Sequence, residues 1–367
     1  MAYGTVNADT LVTSTSGGIL GAGDASIMKN RIINGAMTVA QYGTGSTTVT
    51  TNGYFSCDRW KQVTSASSKY AVTQSSAAPS GFSNSLQITS ASAYSVTAGD
   101  FFGIIQRIEG FNTYDLAWGT ASAKTVTFSF WVQSSLTGTF GGAITNSAES
   151  YSYPFLYTIS AANTWTQISV TIAGPTTGTW VGATNGIGME VWFGLGVGST
   201  YSGTAGSWSA NQYFSATGAT SVVGTSGATF YITGVQLEVG SSATGFEYVN
   251  YQTSLANCQR YCMKYGGNSA YEYVCWVNAA STTVTEGFVT TPVSMRAIPT
   301  ATWASLKVFD NVSVSSVPSS LTVSSTESGL QQVAIYPTGL SGLTQYRQYA
   351  LGGNNSTSAY LILSAEL

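Results

Sequence analysis

The chain has 367 residues, enough for about two or three domains of ordinary size. Only 7% of them are charged, while 43% are hydrophobic and 13% aromatic, which excludes a disordered chain. A net charge of −3 without a basic cluster gives no support for electrostatic attraction to nucleic acid or an anionic membrane, and no apolar run suits a membrane span.

The first 28 residues are rich in glycine, serine, threonine and alanine, and their one aromatic residue is Tyr3. A segment of this kind takes its order from its neighbours, so residues 1–28 are predicted to form an arm that attaches the protein to a larger assembly. The N-terminus carries no basic segment followed by an apolar core. We therefore expect no secretory signal, and synthesis in a cytosol.

Short strand patterns fill residues 29–249, separated by clusters of glycine and serine. Apolar and polar residues alternate cleanly over 125–132, and the alternation returns at 167–172 and at 230–239, where Gly234 is a candidate β-bulge. Such strands at regular spacing, without a long helical pattern, predict an all-β, antiparallel sandwich of the jelly-roll type.

A single helical pattern follows, predicted over 253–265 with Thr253 or Ser254 as its N-cap and a Gly-Gly pair as its end. Strand patterns then resume, punctuated by proline. Residues 250–367 are therefore predicted to form a second, smaller β-rich domain that begins with one short helix.

The sequence contains no histidine, which excludes Ser-His-Asp and Cys-His nucleophiles and histidine-ligated metals. Two of its acidic residues can still meet in space as in a glycoside hydrolase, although most stand singly along the chain. We expect a binding protein and no enzyme. The four cysteines are interpreted as small core residues with free thiols, and neither a cofactor nor a metal site is predicted.

Two segments near the start of the strand-rich part are recognisable. Residues 30–37 read Asn-Arg-Ile-Ile-Asn-Gly-Ala-Met, and residues 53–60 read Gly-Tyr-Phe-Ser-Cys-Asp-Arg-Trp. Further matching pieces follow in order at 85–88, 105–109, 127–131, 164–171, 230–238 and 246–248. This order resembles jelly-roll modules similar to carbohydrate-binding modules, which are widespread in bacteriophage tail fibres.

The second half carries another resemblance. Cys258-Gln-Arg-Tyr261, followed by a β-rich end that reads Ser364-Ala-Glu-Leu367, resembles the C-terminal domain of phage fibre proteins. Together the two resemblances imply a virion protein, a homotrimer that is attached to other tail proteins through its arm and acts at adsorption to the host. Its expected location is the virion, assembled in the bacterial cytoplasm.

Modules of this kind often hold a structural calcium ion, with a glutamate after the opening Asn-Gly and an aspartate in the closing strand. Here those places read Gly35-Ala-Met-Thr38 and Ile232-Thr-Gly-Val235, without a carboxylate, so no calcium site is predicted. In Cys57-Asp-Arg-Trp60, Trp60 is predicted to plug the sandwich, and Asp58 beside Arg59 is interpreted as an ion pair or a turn hydrogen bond.

Sugar recognition needs an aromatic ring against the apolar face of a pyranose, with amides and hydroxyls around it. Aromatic residues in glycine- and serine-rich loops have no strand pattern that directs them inward, and packing is the competing interpretation for each. The candidates are Trp208, then Trp180 and Tyr153, with Tyr201 and Tyr213. Alternatives in the C-terminal domain are Trp276, Trp303, Tyr346 and Tyr349.

Three hypotheses follow from the sequence. The first is a tail fibre that binds host surface polysaccharide. The second is an architectural virion protein, such as a capsid decoration, a head fibre or a tail adaptor, that binds no receptor. The third is a depolymerase, against which the lack of long repeats stands.

Overall fold

The structure is a computed structural model and describes residues 29–310 and 312–367, together with one strand pair near the N-terminus. That pair joins β1 (Leu11–Val12) to β2 (Ile19–Leu20). Apart from this pairing, the arm predicted over residues 1–28 lies outside the described residues. No helix in the described part of the chain is long and apolar enough to cross a bilayer.

The next thirteen strands form two facing antiparallel sheets and one short parallel pair. Their bounds are β3 (Thr47–Thr48), β4 (Lys61–Thr64), β5 (Tyr70–Ser75), β6 (Ser85–Ser90), β7 (Phe101–Glu109), β8 (Val126–Ser134), β9 (Gly138–Asn146), β10 (Ser152–Ile159), β11 (Thr166–Ile172), β12 (Ile187–Val197), β13 (Ser202–Gly203), β14 (Ser215–Ala216) and β15 (Thr229–Val239). One sheet has the order β10-β9-β12-β7-β4, and the other has the order β11-β8-β15-β6-β5-β3. Strands β13 and β14 form a separate parallel pair.

The inward residues of both sheets share one large core. Phe128 and Phe130 project from β8 and contact Phe193 of β12 in the facing sheet, with ring centroids 5.6 and 4.9 Å apart. Trp60 is fully buried in this core and donates its indole N–H to the carbonyl oxygen of Asn34. The predicted β-sandwich and the predicted burial of Trp60 within it are therefore confirmed.

The predicted bulge is also present. The pairing of β15 with β8 shifts register between Thr233 and Gln236, and Gly234 adopts φ of 59°, which favours glycine.

The described residues from 250 onward contain one helix and two further sheets. Their elements are α1 (Tyr251–Gln259), β16 (Cys262–Tyr265), β17 (Tyr273–Ala279), β18 (Thr285–Thr290), β19 (Thr300–Ala304), β20 (Leu306–Phe309), β21 (Ser315–Ser316), β22 (Ser320–Val323), β23 (Gln332–Thr338), β24 (Gln348–Gly353) and β25 (Tyr360–Ser364). A seven-stranded sheet runs β21-β20-β24-β17-β18-β23-β22, and a three-stranded sheet runs β16-β25-β19. Both contribute side chains to a second hydrophobic core.

The helix differs from its predicted bounds of 253–265. It begins earlier, because the side chain of Asn250 accepts a hydrogen bond from the backbone N–H of Thr253. It also ends earlier, because Cys262–Tyr265 pairs with β25 from Tyr360 to Ser364 instead of continuing the helix. The predicted caps, Thr253 and Ser254, lie inside the first turn.

Of the two alternatives predicted for Asp58 beside Arg59, the ion pair is not formed. The buried Arg59 guanidinium forms an ion pair with Glu366 and lies 3.6 Å from the ring centroid of Tyr261. The Asp58 carboxylate instead accepts hydrogen bonds from Gln41, whose amide also donates to the carbonyl oxygen of Cys262. The two sequence motifs that carry the resemblance, around Arg59 and around Tyr261, therefore meet at the junction between the sandwich and the C-terminal sheets.

Candidate functional site

Three of the predicted sugar-binding residues lie together in an aromatic cluster at one edge of the sandwich. We call Trp118, Tyr151, Tyr153, Trp180 and Trp208 the edge cluster. The ring of Trp208 stacks on Tyr151 at 5.6 Å and 11°, and the other three rings lie 5.3 to 5.6 Å from it. Trp208 is only partly exposed, and four rings already surround it.

The indole N–H groups of the edge cluster are all bonded to backbone. Trp208 donates to the carbonyl oxygen of Ala173 at 2.7 Å, Trp180 to that of Thr177, and Trp118 to that of Lys124. A ring that is surrounded by other rings and has its only donor in use offers little to a sugar. The contacts of Trp208 and Trp180 are those of packing residues.

The remaining two candidates lie outside the edge cluster. Tyr201 stacks on Phe214, which itself stacks on Trp192 at 3.9 Å on the outer side of the five-stranded sheet. Tyr213 packs on Gly203, where a Cβ atom would come within 2.2 Å of the tyrosine ring. The structure thus brings Trp208, Trp180 and Tyr153 together and separates them from Tyr201 and Tyr213.

Among the C-terminal alternatives, exposure varies widely. Tyr349 is buried and Trp303 is half-buried, whereas Trp276 is 59% exposed and Tyr346 is 85% exposed.

The described residues also enclose a groove of about 830 Å³ at the junction, within the size range of small-ligand sites. We call it the junction groove. It is bounded by residues 30–38, by the segment 246–249 and by α1. Its wall on the sandwich side is a cluster of three rings, Phe82, Phe246 and Tyr248, with centroids 5.0 to 5.6 Å apart.

The rings of the junction groove are accessible from outside. Tyr248 is 62% exposed and Phe111, which also lines the groove, is 48% exposed. Close by, the side chains of Asn112 and Asn257 form no hydrogen bond with any described residue. Arg31 pairs with Asp115, but its Nε atom is buried and lacks a partner in the described part of the chain. Aromatic faces and free amides therefore line one space.

The carboxylate of Glu109 lies deep in the junction groove, and the positive charge of Arg260 balances its negative charge. Glu109 accepts hydrogen bonds from the Arg260 guanidinium and from the Tyr261 hydroxyl. Burial alone would raise the pKa of Glu109, but these hydrogen bonds and the Arg260 charge hold it below its ordinary value. The groove thus presents a neutral surface, which suits an uncharged ligand better than an ion.

The sequence did not point to this groove, because its rings come from separate segments of the chain. Phe82 lies in a loop of the sandwich, Phe111 lies in a short 3-10 helix after β7, and Tyr248 lies in the connection to α1. The one available signal is Phe246-Glu-Tyr248, a segment whose resemblance concerns the fold and not a ligand.

No protein-family model matches the chain, and no curated protein matches it in sequence. Among solved structures, it is similar to a putative sugar binding protein from Bacteroides thetaiotaomicron, with 12% identity and a TM-score of 0.34 over 57% of this chain and 100% of that one. It is similar to the family 11 carbohydrate-binding module of a Clostridium thermocellum cellulosomal cellulase, with 13% identity and a TM-score of 0.27 over 55% and 98%.

A third similar structure is the enzymatically active domain of tailspike protein 4 of bacteriophage CBA120. The identity is 13% and the TM-score 0.30, over 58% of this chain and 22% of that one. The match therefore spans about a fifth of the tailspike chain. Identities and TM-scores this low say nothing about ligands.

Proposed function

We propose that this chain is a phage virion protein, a fibre that binds glycans on the bacterial surface, and that the junction groove is a glycan site. The observation that carries the proposal is the convergence of exposed rings, free amides and a neutral floor in one groove. Tyr248 and Phe111 supply faces for the apolar side of a sugar, while Asn112 and Asn257 supply donors and acceptors for its hydroxyls.

The fibre role is the finer part of the proposal. Its support is the ordered set of sequence segments that resemble phage fibre modules, which also imply a homotrimer attached through residues 1–28. A single groove of this kind would bind a glycan weakly. Linked copies in a trimer would raise the effective concentration at the cell surface, so the assembled fibre would adsorb far more tightly than one subunit.

The proposed role includes no catalytic step. The sequence has no histidine. Both carboxylates of the junction groove are engaged by neighbours, since Glu109 is held by Arg260 and Tyr261 and Glu247 accepts the backbone N–H of Asn30. Neither is free to act as an acid or a base on a bound sugar.

A glycan array printed with bacterial surface polysaccharides tests the proposal. Labelled wild-type protein is expected to bind at least one polysaccharide. The variant Tyr248→Ala/Asn257→Ala is expected to bind about tenfold more weakly, the loss that about 1.4 kcal/mol of contact energy represents. The matched control is Tyr114→Ala, which removes a ring of similar exposure, 58%, that does not line the groove.

Two results would contradict the proposal. Absence of binding to every printed polysaccharide would favour an architectural virion protein. Unchanged binding by Tyr248→Ala/Asn257→Ala would place any glycan site outside the junction groove.

A further inference from the structure

One tryptophan is exposed where burial would be expected. Among the tryptophans of the described residues, only Trp276 is exposed, at 59% of its surface. It projects from β17, near the middle of the seven-stranded sheet, on the side opposite the second hydrophobic core. A large aromatic ring that is mostly in water contributes little packing for its size, and it indicates a binding surface when other exposed rings lie beside it.

Trp276 has aromatic neighbours on the same face. Phe288 of β18 is 51% exposed, and the pairing of Val277 with Gly287 places it opposite Trp276. Tyr273, which is 48% exposed, lies 5.9 Å from Trp276 between ring centroids. We call Tyr273, Trp276 and Phe288 the aromatic face.

Small residues flank the two central rings. Ala350 of β24 pairs with Trp276, and Ala334 of β23 pairs with Phe288. Both alanines project from the same side of the sheet as the rings, and both are covered by their neighbours. The rings of Trp276 and Phe288 therefore stand beside small, buried residues.

The groups around the aromatic face are mainly uncharged. Asn278, Thr290 and Gln348 project from the same side of neighbouring strands and are exposed. None of their side chains has a hydrogen-bond partner among the described residues. Single charges stand near the two ends, Glu286 on β18 and Lys307 on β20. Rings with free amides and hydroxyls beside them are suited to polyhydroxylated, uncharged ligands.

The size of the aromatic face argues against a second copy of the chain as its occupant. Three half-exposed rings offer roughly 300 Å² of apolar surface, since an aromatic side chain can bury about 150–250 Å² in all. A stable interface needs about 800 Å² on each partner. A strip of this size fits a few sugar rings of one chain.

We propose that the aromatic face is a second binding surface, which takes an uncharged polysaccharide chain laid flat across Trp276 and Phe288. Pyranose rings stack on the two aromatic rings, and Asn278 and Gln348 bond hydroxyls at the edges. The surface lies in the seven-stranded sheet and shares no residue with the junction groove, so it deepens the proposed glycan-binding function without depending on that groove.

Affinity electrophoresis in gels that contain a soluble polysaccharide tests the proposal. The neutral probes are dextran, galactomannan and mixed-linkage β-glucan, and alginate is the acidic comparison. Wild-type protein is expected to be retarded by at least one neutral probe. Trp276→Thr, which keeps a residue that favours strands, is expected to weaken the interaction about tenfold, and Trp276→Phe by less. The control Tyr114→Ala removes a ring of similar exposure, 58%, from the other half of the chain.

Acrylamide quenching of tryptophan fluorescence supplies a second, site-specific readout. Because Trp276 is the exposed indole, wild-type protein should contain a readily quenched component that Trp276→Thr lacks, and a bound neutral polysaccharide should protect it. Unchanged quenching of the buried and half-buried indoles shows that the variant is folded.

Several results would reject the aromatic face as a polysaccharide-binding surface. Lack of retardation by all neutral probes, equal retardation of Trp276→Thr and wild type, or preference for alginate would overturn the proposal. Self-association that Trp276→Thr abolishes, measured by sedimentation, would overturn it in favour of a subunit contact. If Tyr248→Ala/Asn257→Ala loses binding while Trp276→Thr retains it, the proposed function stands and the aromatic face is rejected.

Discussion

The edge cluster and the aromatic face use the same residue types for different purposes. In the edge cluster, Trp208 is enclosed by four rings and its N–H is bonded to backbone. On the aromatic face, Trp276 lies on a sheet in contact with solvent, beside small residues and free amides. The first arrangement stabilises the sandwich, and the second leaves its rings available. The exposure of a ring, and not its place in a loop, distinguishes a candidate binding residue.

The sandwich and the C-terminal sheets are joined at the junction by the buried ion pair of Arg59 and Glu366. Arg59→Ala should have the largest effect on stability, a loss of about 3–5 kcal/mol, because it leaves the buried Glu366 without its partner. Urea unfolding measures the loss. The double variant Arg59→Ala/Glu366→Ala should recover part of it, because the unpaired charge is removed. A loss below about 1 kcal/mol for Arg59→Ala would show that the junction is not tightly coupled.

The edge cluster should respond to mutation through stability alone. Trp208→Ala is expected to lower the free energy of unfolding by about 3 kcal/mol, because it leaves a cavity among four rings. Trp208→Phe should lose about 1 kcal/mol, since it retains the stacking but not the hydrogen bond to Ala173. Polysaccharide retardation of the folded variants should equal that of wild type. Weakened binding with unchanged stability would reverse the roles assigned to the two regions.

The free energy of unfolding should depend on pH through Asp58, which lies at the junction. Burial raises the pKa of this carboxyl to about 6, against hydrogen bonds from Gln41 that lower it. Because the folded-state pKa lies above that of the unfolded chain, the folded protein takes up the proton first. Protonation of Asp58 should therefore stabilise the fold by about 1 kcal/mol between pH 7 and pH 5.

Comparison with Asp58→Asn isolates this contribution. The variant should lack that part of the pH dependence, as measured by urea unfolding at both pH values. Identical pH dependence in the two proteins would show that Asp58 titrates as it does in the unfolded chain.

The smallest stability effect is expected on the aromatic face. Trp276→Thr should change the free energy of unfolding by no more than about 0.5 kcal/mol, because the ring is mostly in water and threonine favours strands. Thermal unfolding of wild type and variant measures the difference. A loss as large as that of Trp208→Ala would mean that Trp276 is a packing residue after all.

Much of the fold could be predicted from local patterns. The alternation over residues 125–132 and 230–239 predicted β8 and β15 and the bulge at Gly234, because period-two alternation records which face of a strand is buried. The end of the helix could not be predicted. Residues 262–265 fit a helical stripe, and only their pairing with β25, about a hundred residues later, makes them a strand.

The candidate sites could be predicted less well, because they depend on distant partners. Trp208 lies in a glycine- and serine-rich loop that looked open, but the loop folds against Tyr151 and Trp118. Arg59 stands beside Asp58 in sequence and yet pairs with Glu366, 307 residues away. Trp276 was one of the predicted alternatives in the C-terminal domain, but its outward direction follows from the sheet neighbours of β17.

The central claim is that this chain binds surface glycans through exposed rings. The most direct measurement is adsorption of labelled full-length protein to a panel of bacterial strains, each with its purified surface polysaccharide as competitor. We predict that wild type adsorbs to at least one strain, that the matching polysaccharide displaces it, and that Tyr248→Ala/Trp276→Thr does not adsorb. Adsorption that no polysaccharide displaces, or that the double variant retains in full, would contradict the claim.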